Sequence, residues 1–167
     1  KASALAAFGP QRVKEWPFPF PGTTHAHILD WLDQALKQHD PRYVMLDHIS
    51  SQPAVVCPVA EMVALCRRRG VAEVAVDGAH ALGQVPVDVD AIGADYSFSN
   101  LHKWAFAAPT ATVLHSLRRE LQHVVPSWGA GDFAAECRWT GTRDYAAMRA
   151  VPAALAYLQD WRSVGGL

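Results

Sequence analysis

Apolar residues recur along this chain in short blocks with two different spacings. Between residues 24 and 37, Ile28, Leu29, Leu32, Ala35 and Leu36 fall on one face of a helix, which Thr23 or Thr24 is placed to cap. Tyr43, Val44, Met45 and Leu46 form an unbroken apolar run that stops at Asp47 and His48, the signature of a buried strand. After a loop at Ser50-Ser51-Gln52-Pro53, a second helix opens at Pro58, a tolerated first-turn position, and closes at Gly70. Residues 71–76 predict the next strand, 79–83 a short turn of helix, and 85–90 an edge or loop piece because Pro86 interrupts the alternation. Residues 95–99 and 111–115 predict two further strands, antiparallel to each other because so short a connection allows nothing else.

A helix over 117–124, a loop over 126–131 and a tight turn over 139–142 follow. Residues 144–163 then predict a long helix with Met148, Val151, Leu155, Leu158 and Trp161 on one face and a kink at Pro152. Near the start, 11–16 reads as a short strand. The Phe-Pro alternation from Trp16 to Gly22 forbids helix and reads as an extended surface crossing. Strands alternating with helices predict an α/β fold: a mostly parallel sheet with helices on both faces, in three layers, α/β/α.

Composition narrows the function classes. The chain has 167 residues, half of them hydrophobic, enough for one domain with a real core. A net charge of −1 gives no electrostatic case for nucleic acid or for an anionic membrane surface as partner. Arg67-Arg68-Arg69 is the densest basic run, and its place is the last turn of a helix, where it complements the helix dipole. Cys57, Cys66 and Cys137 are odd in number and form no CxxC pair. The expectation is therefore a reducing, cytoplasmic setting, with Cys57 and Cys66 as small core hydrophobes. No apolar run approaches the roughly 18 residues of a membrane span, and no signal peptide is visible. A start at Lys1 and an end at Gly165-Gly166-Leu167, directly after a helical run, predict a piece of a longer protein.

The candidate chemistry lies at strand ends, where α/β sheets bind ligands. Val74-Ala75-Val76 runs into Asp77-Gly78-Ala79-His80, and Ser97-Phe98-Ser99 runs into Asn100-Leu101-His102-Lys103-Trp104. A carboxylate and an amine at two such ends can hold a pyridoxal 5′-phosphate (PLP) ring. The lysine would form a Schiff base with the aldehyde, and the carboxylate would keep the pyridine nitrogen protonated. Taken alone, Lys103 would be a surface lysine and Asp77 a strand-end cap; the pairing is what gives them weight.

These segments, with Gly93-Ala94-Asp95 between them and Thr140-Gly141-Thr142-Arg143-Asp144 after them, resemble the large domain of the class V aminotransferase superfamily of fold-type I PLP enzymes. The nearest subgroup is the isopenicillin-N-epimerase-like and cysteine-desulfhydrase-like proteins. The resemblance runs through nearly the whole chain, as part of a PLP-binding large domain without its N-terminal part and without the C-terminal small domain. The helix at 144–163 would lead toward that small domain.

The resemblance implies a role for each position. Lys103 is the Schiff-base lysine and, once freed, moves the substrate's α-proton. Asp77 pairs with the ring nitrogen, His80 contacts the phenolic oxygen, and His102 binds phosphate or orients the lysine loop. Desulfurase-like members carry a phosphate-binding serine three residues before the lysine. Here Asn100 stands there, with Ser99 one residue earlier; either could bind the phosphate, and this departure weakens a desulfurase assignment. Thr142 would reach the phosphate in a neighbouring subunit, which implies a homodimer with shared sites. Ser51 would face the ring or substrate, with His48 supporting its loop. Trp104 and Trp128 could line a substrate channel, although packing is the commoner role for such residues.

The implied activity is a PLP-dependent reaction on an amino acid, with C–S lysis of the desulfhydrase type preferred over epimerisation and transamination. No cysteine stands in an obvious mobile loop to accept a persulfide, Cys137 being the nearest candidate. The upstream phosphate turn and ring-stacking residue have no match, so the chain carries about half a site and is expected to be inactive alone. Two other readings stand beside this one. A metallohydrolase could use Asp47, His48, Asp77, His80 and His102 at the strand ends, yet no HxH or HExxH spacing occurs. A truncated, non-catalytic remnant would keep the fold without the other half of the site.

Overall fold

A computed structural model describes residues 9, 12–17, 20–118, 133–138 and 141–163. Four strands form one sheet in the order β1 (Tyr43–Asp47), β2 (Glu73–Asp77), β3 (Tyr96–Asn100) and β4 (Thr112–Ser116). The first three are parallel and β4 is antiparallel to β3, as its short connection requires. The fold is α/β with a mostly parallel sheet, as the alternation of strand and helix patterns predicts.

Alternation along the strands divides the sheet into two faces. Leu46, Val74 and Val76 point to one face, where they join Ile28, Leu32 and Leu36 of α1 (His25–His39), Val59, Met62, Val63 and Cys66 of α2 (Val59–Arg68), and Ile92 of α3 (Val89–Ile92). Val74 and Cys66 are fully buried there. Each large aliphatic side chain in this cluster contributes about 1.5–3 kcal/mol through its burial. On the other face Tyr43, Met45 and Leu114 are exposed, by 57%, 61% and 46%.

Local signals explain the helix ends. Thr24 caps α1 by accepting a hydrogen bond from the His27 N–H at 3.3 Å, and Asp88 caps α3 in the same way from the Ala91 N–H at 2.9 Å. Pro58 precedes α2, and Arg67 and Arg68 lie in its last turn. These arginines also work as partners: Arg67 bonds Asp95, and Arg69 holds Asp33 with two hydrogen bonds.

Several elements differ from the sequence-based expectation. Residues 12–17 form no strand, because Trp16 folds back to place its ring 5.0 Å from His39 and 6.1 Å from Trp31. Asp88 turns part of the expected 85–90 edge piece into the cap of α3. A one-turn helix α4 (Leu101–Trp104) and a short helix α5 (Phe133–Arg138) stand where neither was expected. The strand expected at 71–76 begins at Glu73. The long terminal helix is α6 (Ala146–Ser163), which contains Pro152. Of the helix expected over 117–124, residues 117 and 118 are not helical; its remainder, the loop expected over 126–131 and Trp128 lie outside the described residues.

α6 packs Leu158, Val151, Ala154 and Trp161 against Leu101, Ala105, Ala107 and Ala111, which flank the lysine helix. Phe106 takes a left-handed backbone (φ 58°), and its ring meets Tyr157 and Trp161 edge-on at 5.6 and 5.9 Å. Those contacts hold a conformation that costs a bulky residue roughly 1–3 kcal/mol.

Candidate active site

β2 and β3 end side by side, in a register that sets Asp77 opposite Phe98. Alternation places Asp77, Phe98 and Asn100 on the open face and Ser99 on the helix-covered one. After Asp77 the chain turns, with Asp77 Oδ1 accepting from the Ala79 N–H at 2.9 Å and the Gly78 N–H bonding Phe98 O at 2.8 Å. After Asn100 it enters α4, whose first residue, Leu101, is buried and anchors the turn.

The two loops meet at three side chains. Lys103 Nζ lies 3.0 Å from His80 Nε2, and the Trp104 indole N–H donates to His80 Nδ1 at 3.2 Å. Gly83 makes the meeting possible. Its φ is 94°, and a Cβ there would collide with the carbonyl oxygen of Trp104. Among the described residues no ion pair engages Lys103 or Asp77. An amine without a carboxylate partner, half-buried beside an imidazole, is suited to nucleophilic work.

The remaining expected residues take distinct places. Ser99 Oγ donates to Gly78 O at 2.7 Å and so ties the end of β3 to the Asp77 turn. Asn100 Oδ1 accepts from the Thr112 hydroxyl at 3.1 Å. His102 Nδ1 donates to Ala111 O at 3.3 Å, which leaves Nε2 as its other ring nitrogen. Ser51 is exposed on its loop; the buried Ser50 braces that loop by donating to Pro53 O and accepting from the Val55 N–H. Thr142 is exposed on the turn before α6.

His48 is buried, and its backbone ties β1 to β2 through its N–H to Asp77 O. Its ring borders a cavity of about 310 Å³ on the helix side, with Cys57, Glu61 and Asp88, away from Lys103. Burial pushes the His48 imidazole below its ordinary value and the Cys57 and Cys66 thiols up to about 11, so neither cysteine is a ready nucleophile.

Asp47, at the end of β1, has its carboxyl raised by desolvation and then by the charge of Asp77, with His80 opposing. Asp47, Asp77 and His80 thus form one electrostatic neighbourhood along the strand ends. Among the described residues no three His, Cys, Asp or Glu side chains gather as a metal-binding group, so the five candidates Asp47, His48, Asp77, His80 and His102 do not converge. Sequence reasoning missed the link between Trp104 and His80. The only signal for it was the adjacency of Lys103 and Trp104.

Known proteins resemble this chain in sequence and in fold. The sequence profile of the family described as aminotransferase class-V matches residues 3–163. A putative L-cysteine desulfhydrase 1 from Oryza sativa subsp. japonica is 42% identical over 166 residues, covering 93% of this chain and 34% of the relative. A probable chloroplastic L-cysteine desulfhydrase from Arabidopsis thaliana is 40% identical over 168 residues, covering 93% and 35%. The chain spans about a third of the length of these relatives. The structure of a cysteine desulfurase from Thermococcus onnurineus NA1 superposes with a TM-score of 0.68 at 20% identity, over 80% of this chain and 36% of that one.

Proposed function

Because the chain belongs to the aminotransferase class-V family, we propose that its protein is a PLP-dependent C–S lyase of the L-cysteine desulfhydrase type. The observation that carries the reading is the Lys103 amine, without an ion pair among the described residues and 3.0 Å from His80 on the turn that follows Asp77. A carboxylate and an amine at the ends of neighbouring parallel strands, with Asn100 on the same face as Asp77, fit the cofactor's ring nitrogen, aldehyde and phosphate. When bound, the cofactor supplies an electron sink for the bonds at the substrate's α-carbon.

The chain's own residues supply the rest. Asp77 would pair its carboxylate with the ring nitrogen. His80 would offer the N–H that faces Lys103 to the phenolic oxygen beside the aldehyde, and Asn100 and His102 would offer polar groups to the phosphate. Ser99 shapes the turn from below. Lys103 Nζ takes the proton from the substrate's α-carbon, and the thiolate leaves from the β-carbon, so that L-cysteine and water give pyruvate, ammonia and hydrogen sulfide. Exposed Thr142 is available to a second subunit, which supports a homodimer with shared sites, and Ser51 is exposed on its loop for the substrate side. The long helix α6 leads out of this large-domain piece toward a small domain.

Among the described residues no helix is long and apolar enough to cross a membrane. The free Cys57 and Cys66 support a reducing compartment, cytoplasmic in this reading, although the Arabidopsis relative is chloroplastic by name.

The test uses the full-length protein with PLP. A borohydride-stable adduct mapped to Lys103, with sulfide and pyruvate formed in equal amounts from L-cysteine, is the expected result. An adduct elsewhere, or none, overturns the site. An adduct on Lys103 with racemised or transaminated product instead overturns the lyase assignment alone.

A further inference from the structure

The three-residue contact at the site has a direction. An indole nitrogen can only donate, so the 3.2 Å bond from Trp104 requires a lone pair on His80 Nδ1. A neutral imidazole then carries its proton on Nε2. Nε2 is the atom 3.0 Å from Lys103 Nζ, so in this tautomer the ring is the donor and the lysine nitrogen the acceptor. The opposite arrangement, an ammonium donating to Nε2, would send the ring proton to Nδ1, where it would face the indole N–H donor to donor.

We propose that Trp104 is a positioning residue that fixes the tautomer of His80, so that His80 presents an N–H to the reacting nitrogen. The proposal rests on the reading of Lys103 as that nitrogen. Packing does not account for Trp104, which is left 42% exposed while its one polar side-chain atom is engaged. Its backbone is held against the His80 turn by the close approach of Gly83, which fixes the distance between the two loops. A tryptophan at this place therefore acts through its donor rather than its bulk.

The experiment is carried out on the full chain with ring-¹⁵N-labelled histidine. The His80 signal is identified by its loss in His80→Gln, and thermal unfolding confirms that each variant folds. The wild type is expected to show the Nε2-protonated tautomer of His80. Trp104→Phe, which keeps a ring and removes the donor, is expected to show a mixture. An unchanged tautomer in Trp104→Phe overturns the proposal.

A second readout is the rate at which PLP with cyanoborohydride labels Lys103 as pH is varied. Trp104→Phe should slow labelling roughly three- to tenfold near neutral pH, the size expected for one hydrogen bond, and should match wild type at high pH, where the amine carries its lone pair in both. In a His80→Leu background, where there is no ring tautomer to set and no acceptor for the indole N–H, Trp104→Phe should change nothing. Equal slowing at every pH, or in both backgrounds, would mean that Trp104 acts by packing and would overturn the proposal. The expected tautomers with no labelling of Lys103 in the wild type would support the proposal for His80 and overturn Lys103 as the cofactor's amine.

Discussion

The two edges of the parallel sheet treat an aspartate in opposite ways. At the N-terminal edge Asp95 is buried and saturated: it accepts from the Val74 N–H at 2.7 Å, from Arg67 at 2.8 Å and from Arg118 at 2.9 Å. Burial alone would raise its carboxyl, but the hydrogen bonds from Val74, Arg67 and Arg118 outweigh that and hold it below its ordinary value. At the C-terminal edge Asp77 is half-buried, uses Oδ1 for one backbone N–H, and makes no ion pair among the described residues. One carboxylate is consumed by the fold and the other is kept for a ligand. Both belong to the segments that carry the family resemblance, so motif membership alone does not separate structure from chemistry; the partners do.

That contrast can be broken by exchanging what each residue loses. The largest effect is expected from Asp77→Asn in the full-length protein. It keeps the bond to the Ala79 N–H and removes the charge, and it should lower kcat for sulfide release from L-cysteine by about 10²–10³-fold, the scale of a lost electrostatic partner in an active site. Denaturant unfolding of the same variant should stay within about 0.5 kcal/mol of wild type.

Asp95→Ala should do the reverse. It strands the buried Val74 N–H, and with two half-exposed arginine pairs adding little, it should cost about 2–3 kcal/mol in urea unfolding. The protein that still folds should keep its labelling of Lys103. A large loss of labelling with intact stability would show that the two edges are not independent.

The smallest effect sharpens the comparison by pH. A carboxyl held below its ordinary value of 3.8 contributes stability that is present above that value and lost as pH falls through the folded-state one. Unfolding free energy measured below the ordinary aspartate range should therefore fall less steeply in Asp95→Asn than in wild type.

How far the chain could be read in advance follows the same division. The strands at Tyr43–Asp47 and Thr112–Ser116, the cap at Thr24 and the buried thiols are local consequences of apolar runs and capping residues, and sequence alone predicts them. The failed strand near Trp16 was invisible because the contact that decides it, with Trp31 and His39, crosses more than a dozen residues. The helix at Lys103 is a single turn, too short for any periodicity to announce. Lys103 and Asp77 could be named from their strand ends. The engagement of His80 by Trp104 could not, since it depends on a turn folding back through a left-handed Gly83.

That glycine has a consequence for anyone who would move this chemistry elsewhere. With no room for even one carbon between residue 83 and the Trp104 carbonyl, the Asp77–Gly83 turn and the lysine helix are a single transplantable part. A designer who grafts Lys103 and its flanking residues onto another sheet must bring the preceding turn with them, or inherit an amine whose imidazole is missing.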